Sequence, residues 1–138
     1  MKLDVNQLRY LSQEEFRVLT AVEMGMKNHE LVPTIMIQKL ASLRFGGAKK
    51  CLSALEKLRL VHHDNKKYDG YYLTYPGYDY LALKTFVKRG SVAGVGRQIG
   101  VGKESDIYIV INDEEIELVL KCQRLGRVTK KKKKIFKF

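Results

Sequence analysis

The residues best suited to chemistry in this sequence form a short glycine-containing stretch, Gly100-Val101-Gly102-Lys103-Glu104-Ser105. Glycines allow the backbone to approach an anion closely, so that free amides of the loop can face its phosphates. Lys103 adds a positive charge to the same stretch. The stretch therefore predicts a phosphate-binding loop.

Three kinds of glycine loop could contain such a stretch. A Walker A loop needs an earlier glycine and a Ser or Thr after the lysine, but here Arg97 and Glu104 hold those positions. A dinucleotide-binding loop opens a helix, whereas Ile107, Ile109 and Ile111 alternate as in a strand. A strand, a loop and a strand remain, as in protein kinases, where the loop covers the phosphates of ATP. Ser105 replaces the third glycine of that motif.

A lysine further along the chain supports the kinase-like interpretation. Residues 112–115 are typical of a turn, and the alternating residues that follow predict a strand that carries Lys121, 19 residues after Gly102. This matches the order of glycine loop, hairpin and third-strand lysine in a kinase small lobe, where the lysine contacts the α- and β-phosphates. An ordinary β-meander with a solvent-facing lysine is the alternative.

Charge and composition limit the classes of function. The 138 residues include 26 Lys and Arg against 15 Asp and Glu, a net charge of +11, which favours anionic partners such as nucleic acid.

Other features of the composition argue against a secreted, metal-binding or membrane protein. Cys51 and Cys122 indicate a reducing compartment without a disulfide framework. The three histidines and two cysteines lack the spacing of a metal site. No run is long and apolar enough for a membrane span, so no membrane partner is expected, and no oligomer is predicted.

The elements of residues 1–90 follow a recognisable order. Ser12 and Glu15 predict a capping box that opens a helix. A second helix begins near Pro33, and Gly46-Gly47 separates it from a third. Two short strands then flank a turn-forming segment, residues 64–70, which predicts a β-hairpin, and a last helix begins at Pro76. This order is that of a winged helix-turn-helix, in which the helix before the hairpin is the recognition helix.

Basic residues lie on both the recognition helix and the wing. They can neutralise phosphates in salt-dependent, largely sequence-independent binding. A solvated helix face or a docking surface for a protein is the alternative. The candidate nucleic-acid-binding residues are Lys49, Lys50, Lys57, Arg59, Lys66 and Lys67.

Long stretches of the chain resemble the second subfamily of RIO-type atypical serine/threonine protein kinases. The resemblance covers about residues 3–127. It is carried by Leu8 to Ser12, Phe16 to Glu30, Gly77 to Lys84, Gly100 to Tyr108, Leu120-Lys121 and Arg124 to Arg127.

The resemblance implies a fold, a nucleotide and a cellular role. The expected class is α+β, with an N-terminal winged helix (residues 1–90) and the first strands of a kinase-like small lobe (residues 91–127). Gly100 to Ser105 would be the nucleotide loop and Lys121 the ATP lysine, with ATP and Mg²⁺ expected for the complete family domain. The implied function is a kinase or ATPase in maturation of the small ribosomal subunit, with pre-ribosomal particles and ribosomal RNA as partners. The implied location is the cytoplasm, with passage through the nucleus.

The catalytic part of that family is not found in these residues. Phosphoryl transfer needs an Asp near the nucleophile and an Asn and an Asp for the metal. The resemblance implies that the family supplies them after the third-strand lysine, from a His-Gly-Asp catalytic loop and an Asp-Phe-Pro-like metal loop. The chain ends 17 residues after Lys121, so we assign no catalytic or metal residues, and leave open whether it is an enzyme. The motif His62-His63-Asp64 precedes the glycine loop and is interpreted as part of a turn.

The basic tail, residues 128–138, departs from the family pattern. Every residue from Lys130 onward can be encoded by A and T alone, so we expect a truncated product or an intron read in frame. A genuine polybasic tail that binds RNA is the alternative. The second hypothesis for the chain is accordingly a non-catalytic winged-helix module that binds RNA or protein.

Overall fold

The computed structural model describes residues 5–44, 46–102 and 104–124. The chain divides into two compact units, the first comprising residues 6–82 and the second beginning at Leu83. The class is the mixed helix and sheet fold that the sequence predicts. Within the described residues, no helix is both long and apolar enough to cross a membrane.

The first unit contains the helices of a winged helix-turn-helix. They are α1 (Val5–Tyr10), α2 (Gln13–Gly25), α3 (Thr34–Ala41), α4 (Gly47–Lys57) and the start of α5 (Tyr75–Lys88). The capping box is confirmed, because Ser12 Oγ accepts from the Glu15 amide and Glu15 accepts from the Ser12 amide. Gly46 (φ 83°) precedes α4 in the left-handed region, which glycine tolerates and most residues do not. Helices α2, α3 and α4 pack around fully buried Leu19, Ile37 and Leu52.

A three-stranded antiparallel sheet completes this unit. Its strands are β1 (Val32–Pro33), β2 (Val61–Asp64) and β3 (Gly70–Leu73), in the order β1-β3-β2. The predicted hairpin is therefore confirmed, whereas β1 was not predicted. Pro33 pairs with Gly70 and precedes α3 instead of lying in its first turn.

The structure corrects the predicted apolar face of α5. Helical spacing predicts one apolar face formed by Tyr78, Leu81, Ala82, Thr85 and Phe86. Of these, Tyr78, Ala82 and Thr85 are exposed and the other two are only partly buried, while Tyr80 and Leu83 are fully buried. A side chain on Gly77 would overlap the backbone carbonyl of Leu60. This close approach of backbone to backbone fixes which side of the helix packs, and helical spacing alone does not reveal it.

The second unit contains the other sheet. Strands β4 (Gly94–Val101), β5 (Ser105–Ile111) and β6 (Glu117–Gln123) form an antiparallel meander in sequence order. The turn between β5 and β6 is the predicted one, since the Glu115 amide donates to the Asn112 carbonyl at 3.0 Å. Two register shifts interrupt β4 before Gly100, and bulges of this kind re-aim the residues that follow them.

Candidate functional site

The glycine stretch is the turn between two antiparallel strands. Gly100 and Val101 end β4, Ser105 opens β5, and the Gly102 amide donates to the Ser105 carbonyl at 2.8 Å. The strand–loop–strand arrangement is therefore confirmed, which rules out a loop that opens a helix. Lys103 lies outside the described residues, and exposed Glu104 completes the described part of the turn.

The sheet register brings the loop and the lysine onto one face. Gly100 pairs with Ile107, and Ile107 pairs with Lys121, so these three residues form one row across β4, β5 and β6. Directly paired residues in a sheet share a face, and strands that are two apart are separated by about 10 Å. A phosphate group bound at the loop would thus lie within reach of the long Lys121 side chain, which is exposed.

The opposite face of this sheet is the packed one. Tyr108 and Val110 on β5 are almost fully buried, and they alternate with Ile107 and Ile109, which are only partly buried. The row that contains Gly100 and Lys121 therefore belongs to the more open face, where a ligand could reach it.

The described residues supply positive charge and amides, but not a metal site. Among them, no group of three or more His, Cys, Asp or Glu side chains is placed to hold a metal ion. The exposed ammonium group of Lys121 can bind phosphate oxygens, whereas the Gly102 amide already donates to the Ser105 carbonyl. The arrangement does not by itself provide the base or the metal ligands that phosphoryl transfer requires.

Two residues beside the loop were missed by the sequence analysis. The Arg124 guanidinium Nε donates to Asp106 Oδ2 at 3.0 Å, and both side chains are at most 8% exposed. Residue spacing gives no signal for this pair, because it depends on the register that places Asp106 opposite Cys122.

The predicted nucleic-acid-binding lysines of α4 lie together. Ala48, Cys51, Leu52 and Leu55 form its buried side, and Lys49, Lys50 and Lys57 lie on the exposed opposite side. We call these three lysines the basic face of α4. Because their side chains are solvent-exposed, phosphate oxygens could approach them without disturbing the core.

The other predicted basic residues follow α4. Arg59 is exposed between α4 and β2 and has a positive φ of 60°. Lys66 and Lys67 are exposed at the tip of the wing, where the Lys66 amide donates to Asp64 Oδ1 at 2.9 Å. They belong to the same unit as the basic face of α4.

The motif His62-His63-Asp64, which the sequence analysis interprets as part of a turn, lies instead on strand β2, where its residues pair with Tyr72, Tyr71 and Gly70 of β3. The ring of His63 forms a hydrogen bond through Nε2 with Asp69 Oδ1 and stacks on Tyr71, with ring centroids 4.4 Å apart. Thr34 Oγ1 also donates to Asp69 Oδ2 at 2.6 Å, which links the wing to the start of α3. Hydrogen bonds from Thr34 and then from His63 hold the pKa of Asp69 below its ordinary value. This contact network accounts for His63 and Asp69 without any catalytic role.

Comparison with known proteins identifies relatives along most of the chain. Residues 8–89 match the family described as Rio2, N-terminal. The chain is 63% identical over 129 residues to serine/threonine-protein kinase rio2 of Dictyostelium discoideum, covering 94% of this chain and 25% of that protein. It is 52% identical over 130 residues to the protein of the same name from Schizosaccharomyces pombe, covering 94% of this chain and 38% of the relative.

Solved structures give the same result. The Rio2 kinase–ADP/Mg²⁺–phosphoaspartate complex of Chaetomium thermophilum is 53% identical and superposes with a TM-score of 0.82, over 93% of this chain and 39% of that one. A second structure of the Rio2 kinase from the same organism has a TM-score of 0.81 and 51% identity. The present chain thus spans well under half the length of each of these proteins.

Proposed function

Because the chain belongs to the Rio2 family, we propose that it forms the winged helix and the nucleotide-loop half of the small lobe of a RIO-type serine/threonine kinase of the second subfamily. The observation that carries this proposal is the row of Gly100, Ile107 and Lys121 across the second sheet. In the complete protein, the activity is phosphoryl transfer from ATP or ATP hydrolysis, in the service of small-subunit ribosome maturation.

The described residues fit the phosphate part of ATP. The described loop residues, 100–102 and 104–105, present the backbone, and Lys121 supplies a point charge in the same row as Gly100. ATP provides the phosphoryl group, and Mg²⁺ neutralises the charge of its phosphates. The described residues contain no acidic cluster for the metal, so we assign Mg²⁺ to the complete family domain.

The nucleotide site is tested by replacing its lysine. ATP should raise the melting temperature of the 138-residue chain, and Lys121→Ala should abolish most of that rise, because a charge-assisted contact to phosphate is lost. The measurement is a thermal shift at several ATP concentrations. Lys88→Ala removes an exposed lysine from the end of α5 and is the matched control. A wild-type chain without any ATP-dependent shift would refute a functional site in this chain.

The winged helix supports a second candidate function, the binding of nucleic acid. The observation that favours it is the basic face of α4, with Arg59, Lys66 and Lys67 in the same unit. We propose ribosomal RNA of the pre-ribosomal small subunit as the anionic partner, in the cytoplasm and during passage through the nucleus. If the chain acts without a catalytic half, it is a non-catalytic module that binds RNA or protein through this surface.

Sequencing the transcript separates the two functions. A reading frame that continues across codons 128–138 into a His-Gly-Asp loop and a metal-binding Asp would join these residues to a catalytic half. A frame that stops at Phe138 would make the winged helix and the basic tail the functional parts.

A further inference from the structure

The second sheet contains a buried ion pair beside the candidate nucleotide loop. Arg124 Nε and Asp106 Oδ2 are 3.0 Å apart, and their side chains are 5% and 8% exposed. Removing two charges from water costs free energy that their attraction only partly returns, and apolar residues of similar volume often fill such a place as well. Stability alone therefore does not explain why this pair lies here.

The pair is attached to the loop from two sides. Asp106 is the first buried residue of β5, directly after Ser105. The Arg124 backbone amide donates to the carbonyl of Glu104, which lies in the loop itself. Arg124 thus contacts the loop at Glu104 through its main chain and contacts Asp106, near the start of β5, through its side chain.

The same residue is connected to the phosphate-binding lysine. Arg124 directly follows β6, three residues after Lys121 on that strand. Any shift of the loop relative to β6 would stretch the Arg124 contacts, and any shift of β6 would carry Lys121 with it. The pair therefore connects the glycine loop to Lys121, and in the proposed site both of these contact the phosphates of one nucleotide.

We propose that Asp106 and Arg124 are positioning residues that hold the glycine loop at a fixed position relative to Lys121 on β6. This inference rests on the proposed nucleotide site. A charge-assisted hydrogen bond has a preferred direction, whereas apolar contact has none, so the ion pair orients the loop where an apolar pair would only fill space.

Nucleotide binding to the full 138-residue chain tests this inference. The double variant Asp106→Leu/Arg124→Met should keep a urea midpoint near that of the wild type. Its dissociation constant for ATP should rise about tenfold, the effect of losing one well-directed contact, while that for adenosine should not change.

A second variant, Asp106→Asn, keeps the volume of the side chain without its charge and should weaken ATP binding less. The matched control is Asp69→Asn, which removes the charge of the wing carboxylate that Thr34 and His63 contact and should leave ATP affinity unchanged.

Each other outcome has a definite meaning. If ATP and adenosine affinity fall together, the pair only maintains the fold, and the positioning role is wrong. If Lys121→Ala weakens ATP binding but the double variant and Asp106→Asn do not, the nucleotide site stands and the positioning role fails. If the wild-type chain binds no ATP, both proposals fail. If the double variant does not fold, an unchanged ATP affinity of Asp106→Asn overturns the positioning role.

Discussion

Asp69 shows how a single carboxylate can connect the wing to a helix. Its two oxygens accept from Thr34 Oγ1 and from the His63 ring, and the bond from Thr34 contributes most to a pKa below the ordinary 3.8. A carboxyl group whose pKa is lowered by folding stabilises the folded state above its unfolded pKa. That contribution is lost as the pH falls through the folded pKa.

We expect Asp69→Asn to reduce stability at neutral pH but not in strong acid. The difference in free energy of unfolding from the wild type should be below about 1 kcal/mol, because the carboxylate is half exposed and screened by solvent. It should disappear as the pH falls below the ordinary value of 3.8. Urea unfolding at a series of pH values measures this difference, and Thr34→Val should give a similar acid-dependent change. A difference that is independent of pH would contradict the assignment.

At the scale of elements, a charge reversal on helix α4 tests whether RNA binding depends on the lysines of that helix or on the net charge of the chain. The variant Lys49/Lys50/Lys57→Glu replaces the basic face of α4 and should weaken RNA binding. It should also make the slope of log K against log[salt] shallower, by the amount expected for the loss of about three phosphate contacts. The helix should remain folded, because all three side chains are exposed. Binding to a fluorescent single-stranded RNA at several salt concentrations is the measurement.

The matched control for this charge reversal is Lys27/Lys39/Lys88→Glu. These three lysines are also exposed and come from three other parts of the chain, so the net charge changes by the same amount. If the control weakens binding as much as the α4 variant does, net charge and not the basic face accounts for binding. If the α4 variant binds as well as the wild type, the recognition-helix assignment is wrong.

Elements with a local signal could be predicted from the sequence, and elements that need a distant partner could not. The capping box of α2 depends on Ser12 and Glu15, which are three residues apart, and the wing depends on a turn-forming segment. Strand β1 exists only because Gly70 returns opposite Pro33. Nothing in the sequence near Pro33 announces that pairing.

The candidate site divides in the same way. Alternation along the second sheet could predict that Lys121 lies on a strand, and the glycine spacing could predict a loop. That Gly100 and Lys121 share a row required the register, including the shifts in β4. The contact between Asp106 and Arg124 joins residues 18 apart and is equally invisible to spacing.

At the scale of the whole molecule, charge is distributed very unevenly. Residues 1–90 carry a net +6, residues 91–129 carry −1, and residues 130–138 carry +6. Long-range attraction of a polyanion therefore acts mainly on the winged helix and the tail. The nearly neutral second block must select its ligand through a few placed groups, which is consistent with a phosphate site and not with a general nucleic-acid surface.

The final prediction concerns what these 138 residues can do on their own. In the proposed nucleotide site, Lys121 and the glycine loop would stabilise phosphate charge, but phosphoryl transfer also needs a residue that orients the nucleophile and ligands that hold Mg²⁺. The sequence contains no His-Gly-Asp loop after Lys121. We therefore expect the purified chain to bind ATP without turning it over, as measured with labelled ATP and Mg²⁺. Turnover that Lys121→Ala abolishes would contradict this prediction, whereas turnover that survives Lys121→Ala would identify a contaminating enzyme.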